Sequence, residues 1–225
     1  IIRKHIRMHI KANVGVLSVT WWGESDYGNQ SVSLLLDEAA KVGAKVCFHI
    51  EPFNGRSPQT VRENIQYIVD TYGDHPAFYR THGKPLFFIY DSYLIKPAEW
   101  AKLFAAGGEI SVRNTKYDGL FIGLTLKESE LPDIETACMD GFYTYFALTS
   151  GRIIEVCTHF FSAGMSTDTC MLLVGFLCND VNNAAHSIAT IQSRTIATNN
   201  FNAFYICKID TAQLIGIHCR TGVFR

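Results

Sequence analysis

The sequence predicts an α/β chain built as a parallel barrel, and three observations predict it. Short apolar runs recur between residues 14 and 146, each followed at once by polar and aromatic residues. Helix-like segments with start and stop signals fill the gaps between them. Beyond residue 147 the rhythm breaks, so the barrel is expected to be partial. Strands buried on both faces read as near-continuous apolar runs, and such barrels keep their chemistry at the strands' C-terminal ends. The pattern says enzyme-like barrel before it says which enzyme.

The first run, residues 16–23, ends on Trp21 and Trp22. Residues 31–43 follow as a helix, with Ser31 placed to cap it, Gly43 to end it, and Leu34, Leu35, Ala39 and Val42 at helical spacing. The run 45–50 delivers Glu51 and stops at Pro52. Residues 57–72 start with Ser57-Pro58, good for a cap and first turn, and set Val61, Ile65, Ile68 and Val69 on one side. A turn at Asp74-His75-Pro76 comes next, and residues 75–80 read as a structural aromatic anchor. The run 85–93 carries Tyr90, Asp91 and Tyr93, and a helix over 96–106 opens with Pro97 and holds Trp100, Leu103 and Phe104. Runs at 119–124 and 141–146 complete the set. Strand and helix alternating at this rhythm mean βα units and a parallel sheet.

The last third is different. No proline follows Pro132, although at about 5% average usage roughly four or five would be expected there. Only 9 of the last 75 residues are charged, and five of the seven cysteines follow Glu155. Residues 171–178 could form one strand, and 184–201 are polar with little periodicity. We therefore divide the chain into a partial barrel over 1–147 and an aberrant tail over 148–225.

The bulk numbers exclude several classes. A net charge of −1 leaves no footprint for nucleic acid and no polybasic membrane patch. No uncharged apolar run reaches the roughly 18 residues of a membrane-spanning helix. The start, Ile1-Ile2-Arg3-Lys4-His5, is no signal peptide, and without an initiator Met it reads as cut from something longer. The odd cysteine count, with no C-x-x-C or zinc spacing, points to buried thiols such as Cys47, and nothing asks for a metal or cofactor. One sequon, Asn29-Gln30-Ser31, matters only in a secreted protein.

The candidate site residues follow from strand ends. Glu51 is a carboxylate held in extended backbone by the proline after it. His49 alternates with it and so shares its side of the strand, as a ligand-binding or a structural histidine. Tyr90, Asp91 and Tyr93 combine two phenols with an acid. Sugars suit such walls, because aromatic faces cover C–H patches while carboxylates and phenols take hydroxyls. Trp21 and Trp22 offer the same chemistry, with one of the two rings expected in the core. Tyr143 and Tyr145 alternate and could face one side. Glycosidic acid–base chemistry needs two acids across one bond, and Glu51 alone is insufficient.

These residues lie in six ordered motifs: Ser-Val-Thr-Trp-Trp-Gly (18–23), Phe-His-Ile-Glu-Pro-Phe (48–53), Tyr-Gly-Asp-His-Pro-Ala-Phe-Tyr-Arg (72–80), Ile-Tyr-Asp-Ser-Tyr (89–93), Tyr-Asp-Gly-Leu-Phe-Ile-Gly-Leu (117–124) and Gly-Phe-Tyr-Thr-Tyr-Phe-Ala (141–147). Over residues 14–147, roughly 60% of the chain, the sequence resembles the endo-α-1,2-mannosidases of glycoside hydrolase family 99. The resemblance implies a (β/α)8 TIM barrel that cuts within α-mannosides, releasing a glucosylated mannose unit from glucose-capped high-mannose N-glycans in the Golgi. It implies an oligosaccharide partner and a pocket lined by Glu51, Tyr90, Tyr93 and a tryptophan matching Trp21 or Trp22. The mechanism it implies is retaining: one Glu assists the substrate's own 2-hydroxyl and a second protonates the leaving group.

Both acids belong to a Glu-Trp-His-Glu motif that this sequence does not contain. The family's first strand and its last strands also find no counterpart here. We therefore expect five of eight barrel strands and a foreign tail from a frameshift, retained intron or faulty reading. As written, the chain should hydrolyse nothing and be poorly soluble or molten, because missing strands leave unpaired edges. The rival reading is a catalytically dead glycan-binding protein. A third is an unrelated barrel enzyme using Glu51 and Asp91 as its acid pair.

Overall fold

The apolar runs of residues 14–144 form strands in the computed structural model, which describes residues 1–12, 14–144 and 206–209. The central strands are β1 (Val16–Trp21), β2 (Lys45–Ile50), β4 (Lys84–Ile89), β5 (Leu120–Thr125) and β6 (Gly141–Thr144). A two-residue strand, β3 (Arg80–Thr81), pairs antiparallel with β4. From the tail, β7 (Ile206–Ile209) lies parallel to β1, with Val16 opposite Ile206. The sheet order is β6-β5-β4-β2-β1-β7, and apart from β3 every pairing is parallel. This parallel α/β sheet fits a (β/α)8 barrel. Within the region expected to be a foreign tail, Ile206–Ile209 shares the barrel's sheet; residues 171–178 and 184–201 lie outside the described residues.

Helices cover one face. They are α1 (Ile2–Lys11), α2 (Val32–Ala40), α3 (Pro58–Tyr72), α4 (Pro97–Phe104) and α5 (Leu131–Thr136). Sequence periodicity foresees α2, α3 and α4 but not α1 or α5. Helix α1 buries only Ile2 and Ile6, a stripe too thin to stand out among basic residues, and α5 is six residues with a proline inside. Strand residues Leu17, Val19, Trp21, Val46, Phe48, Ile50, Phe87, Ile89 and Phe121 pack under this helical layer with Leu35, Ile65, Ile68 and Trp100. Their alternates Val16, Cys47, Leu86, Phe88, Ile122, Leu124 and Tyr143 form a second cluster on the inner face.

Two local readings are corrected. Ser31 does not cap α2, because its hydroxyl donates to the Gly28 carbonyl at the end of a short 3-10 turn that precedes the helix. The buried stripe of α2 is Val32, Leu35, Leu36 and Ala39, while Leu34 and Val42 are exposed. Helix α1 packs against α2 and takes Glu38 into a shared ion pair: Arg3 donates to both Glu38 oxygens, at 2.6 and 2.9 Å, and Lys41 to one at 2.6 Å. In α3 the expected cap is present, with Ser57 and Thr60 exchanging backbone and side-chain bonds in a capping box. The 75–80 segment is the anchor the sequence suggests: Ala77, Phe78 and Tyr79 are buried, and Val46 exchanges backbone hydrogen bonds with Ala77 and Tyr79.

Candidate functional site

The inner face turns polar toward the C-terminal ends of β1, β2 and β6. Thr20, His49, Glu51 and Tyr143 are all buried there, a composition that apolar packing alone would not select. The parallel register sets Thr20 beside His49, and the alternation that makes Cys47 an inner residue makes His49 and Glu51 inner as well.

A hydrogen-bonded line crosses the sheet. His49 Nδ1 lies 2.8 Å from Glu51 Oε1, and the Tyr143 hydroxyl lies 2.7 Å from His49 Nε2. The imidazole is thereby held from both sides, by the Glu51 carboxyl at Nδ1 and the Tyr143 phenol at Nε2. Tyr90 lies 5.1 Å from the His49 ring centre, and Phe88 packs edge-on to Tyr143 at 5.3 Å. Carboxylate, imidazole and phenol are thereby held on a wall of aromatic faces.

The end of β4 adds the second side. Asp91 adopts a left-handed conformation, φ 46°, and accepts a hydrogen bond from the Tyr93 hydroxyl at 2.9 Å. That bond, and behind it burial and the Asp91 charge, raise the Tyr93 phenol above its ordinary pKa. Tyr93 itself is exposed and Tyr90 half-buried.

The profile of Glycosyl hydrolase family 99 matches residues 1–162, well over half of the 225. The chain belongs to glycosyl hydrolase family 99. A mouse glycoprotein endo-α-1,2-mannosidase is 44% identical to it over 158 residues, covering 65% of this chain and 34% of its own length. A human glycoprotein endo-α-1,2-mannosidase-like protein is 46% identical over 158 residues, covering 65% of this chain and 35% of its own. The solved family 99 endo-α-mannosidase of Bacteroides thetaiotaomicron superposes with a TM-score of 0.77 at 66% identity, covering 93% of this chain and 65% of that one. This chain thus spans about a third of the length of the curated relatives it matches. The family match also reaches past the stretch that the six motifs mark, at both ends.

Family membership overturns the unrelated-barrel reading with its Glu51–Asp91 acid pair. Of the other sequence candidates, this family 99 chain brings together Glu51, His49, Tyr143 and Tyr90, and sets Asp91 and Tyr93 as a bonded pair at the rim. It separates the tryptophans. Trp21 is a correction: it is 1% exposed, turned under the helices, with its indole N–H donating to Asn64 Oδ1 at 2.6 Å. Trp22, 43% exposed, is the one left at the rim. Tyr145 lies outside the described residues.

Arg56, Thr20 and Asn64 are the residues that sequence reasoning misses. Their signal is weak, since a single Arg, Thr or Asn near a strand end or on a helix has no periodicity. The sequon asparagine is engaged within the fold: Asn29 Nδ2 donates to the Glu24 carbonyl at 2.7 Å, and its Oδ1 accepts from the Tyr72 hydroxyl at 2.7 Å. Among the described residues no three His, Cys, Asp or Glu side chains converge to hold a metal ion, and no helix is long and apolar enough to cross a membrane.

Proposed function

We propose that this chain carries the sugar-recognising wall of an endo-α-1,2-mannosidase site, shaped for the α-mannosides of glucosylated high-mannose N-glycans, in the Golgi lumen or at the Golgi membrane. The observation that carries the reading is the buried Tyr143–His49–Glu51 line at the C-terminal ends of β2 and β6. It presents a fixed carboxylate to sugar hydroxyls, with Tyr90, Tyr93 and Trp22 as faces for C–H patches. The printed names of the relatives, endo-α-mannosidases from mouse and Bacteroides, favour α-mannosides as the substrate class. In this reading residues 1–147 supply part of the family's barrel.

Endo-hydrolysis needs two carboxyl groups flanking the glycosidic bond. The 225 residues contain no Glu-Trp-His-Glu, so in this reading the second acid is not among them and they bind the glycan without cutting it. The second reading is a catalytically dead glycan-binding protein. Calorimetric titration with a glucosylated oligomannoside, paired with product analysis, tests both. We expect binding, no product, and about tenfold weaker binding in Glu51→Gln, which loses a charge-assisted hydrogen bond worth about 1.5–3 kcal/mol. Released disaccharide would restore the hydrolase; absence of binding to the wild-type chain would end the glycan reading.

A further inference from the structure

Between Glu51 and the Ser57 cap the chain runs Pro52-Phe53-Asn54-Gly55-Arg56. The half-buried Arg56 guanidinium does not reach outward. One nitrogen donates to the Tyr90 carbonyl and the other to the Asp91 carbonyl, the latter at 2.8 Å. Its carbon stands 6.0 Å from the centre of the Trp100 ring, which closes its other side. The two acceptors are successive carbonyls of the turn in which Asp91 takes the left-handed conformation that side-chain-bearing residues rarely adopt. Burial depresses the arginine's pKa, while Asp91, Glu51, Tyr143 and Tyr93 act against that, so the cation sits among the site's own acids and phenols.

We propose that Arg56 is a positioning residue of the glycan site: its two-pronged bond ties the Glu51 loop to the Tyr90–Tyr93 turn and fixes the spacing between the two sides of the wall. The inference rests on the sugar-site reading above. A planar guanidinium offers donors in a fixed fork that meets two carbonyls at once, whereas a lysine ammonium is a point charge on a flexible stem. Without the fork, the two successive carbonyls of the turn lose their shared donor, and the strained Asp91 backbone is free to relax.

The test uses the full chain with Arg56→Lys and Arg56→Ala, and Tyr93→Phe to assign signals. Tyrosine labelled at the ring Cζ is titrated by NMR. The Tyr93 phenol is raised mainly by its bond to Asp91, and the Arg56 charge pulls it the other way. The two roles of Arg56 therefore predict opposite signs. If Arg56 holds the turn, its loss loosens the Asp91–Tyr93 bond and Tyr93 titrates at lower pH. If it is only a nearby charge, Tyr93 stays or titrates higher. We expect the downward shift in Arg56→Ala, a smaller one in Arg56→Lys, and at least tenfold weaker binding of a glucosylated oligomannoside in both. Tm should stay within about 4 °C of wild type. An unmoved or rising Tyr93 titration, or wild-type affinity in a folded variant, overturns the proposal. A wild-type chain that binds no oligosaccharide rejects the site reading instead, and the tyrosine titration then still decides whether Arg56 holds the turn.

Discussion

Adjacent tryptophans show how finely strand alternation sorts residues. Trp21 is a core side chain whose N–H is matched to Asn64, which is itself held by a bond from its Nδ2 to the Thr60 carbonyl. Trp21→Phe removes the donor from the half-buried Asn64 oxygen and should cost about 1 kcal/mol, read by chemical denaturation. Trp22→Ala should change stability by less than about 0.5 kcal/mol yet weaken oligosaccharide binding. The opposite assignment of effects would show that the rings exchange roles. Glu38 makes a second residue-scale case. Hydrogen bonds from Arg3 first, then from Lys41, hold its carboxyl down from 4.5 to about 2. A depressed acid contributes stability that is present above pH 4.5 and is lost as pH falls toward 2. Melting followed over that range should lose this acid limb in Glu38→Gln, and high salt should shrink it in the wild type, because Arg3 and Lys41 are largely exposed. A Glu38→Gln profile identical to wild type would sink the assignment.

At the scale of elements, α3 is the most legible in sequence. Ser57-Pro58 marks its start, the capping box is formed, and Val61, Ile65 and Ile68 are fully buried. Ser57→Ala should cost about 1 kcal/mol, measured as a drop in denaturation midpoint with unchanged m-value. An unchanged midpoint would mean that Thr60 alone secures the turn. Helix α2 was readable as a helix but not in its orientation. Its sequence offers two overlapping apolar stripes, and only tertiary packing decides that Leu36 goes in and Leu34 out. The strand runs were readable for the reason that parallel strands are apolar on both faces. The polar break at Thr20, His49 and Glu51 therefore marks the open end of the sheet. Arg56 was not readable, because its partners are backbone carbonyls of a turn 34 and 35 residues away.

For the whole molecule, missing strands led to the expectation of a loose or molten state. The described sheet instead has one face packed under helices with large side chains, Trp21, Phe48, Phe87, Phe121 and Trp100 among them, essentially out of solvent. Burial of an aromatic or large aliphatic side chain contributes about 1.5–3 kcal/mol, and a contiguous layer of them melts as a unit. We expect one cooperative calorimetric transition. A broad, low-enthalpy transition with early dye binding would return the molten reading.

By itself the sequence determined the parallel α/β class, the positions of five strands, the cap of α3, the proline start of α4, and the six motifs that mark family 99. These are written in local patterns: apolar runs, prolines, caps and short motifs. Tertiary structure alone decided which tryptophan faces the rim, which stripe of α2 is buried, that Ile206–Ile209 lies beside β1, and that Tyr143, His49 and Glu51 form one line. Tyr143 and His49 stand 94 residues apart, and such a pairing comes only from the register of strands in a sheet, which a local pattern does not encode.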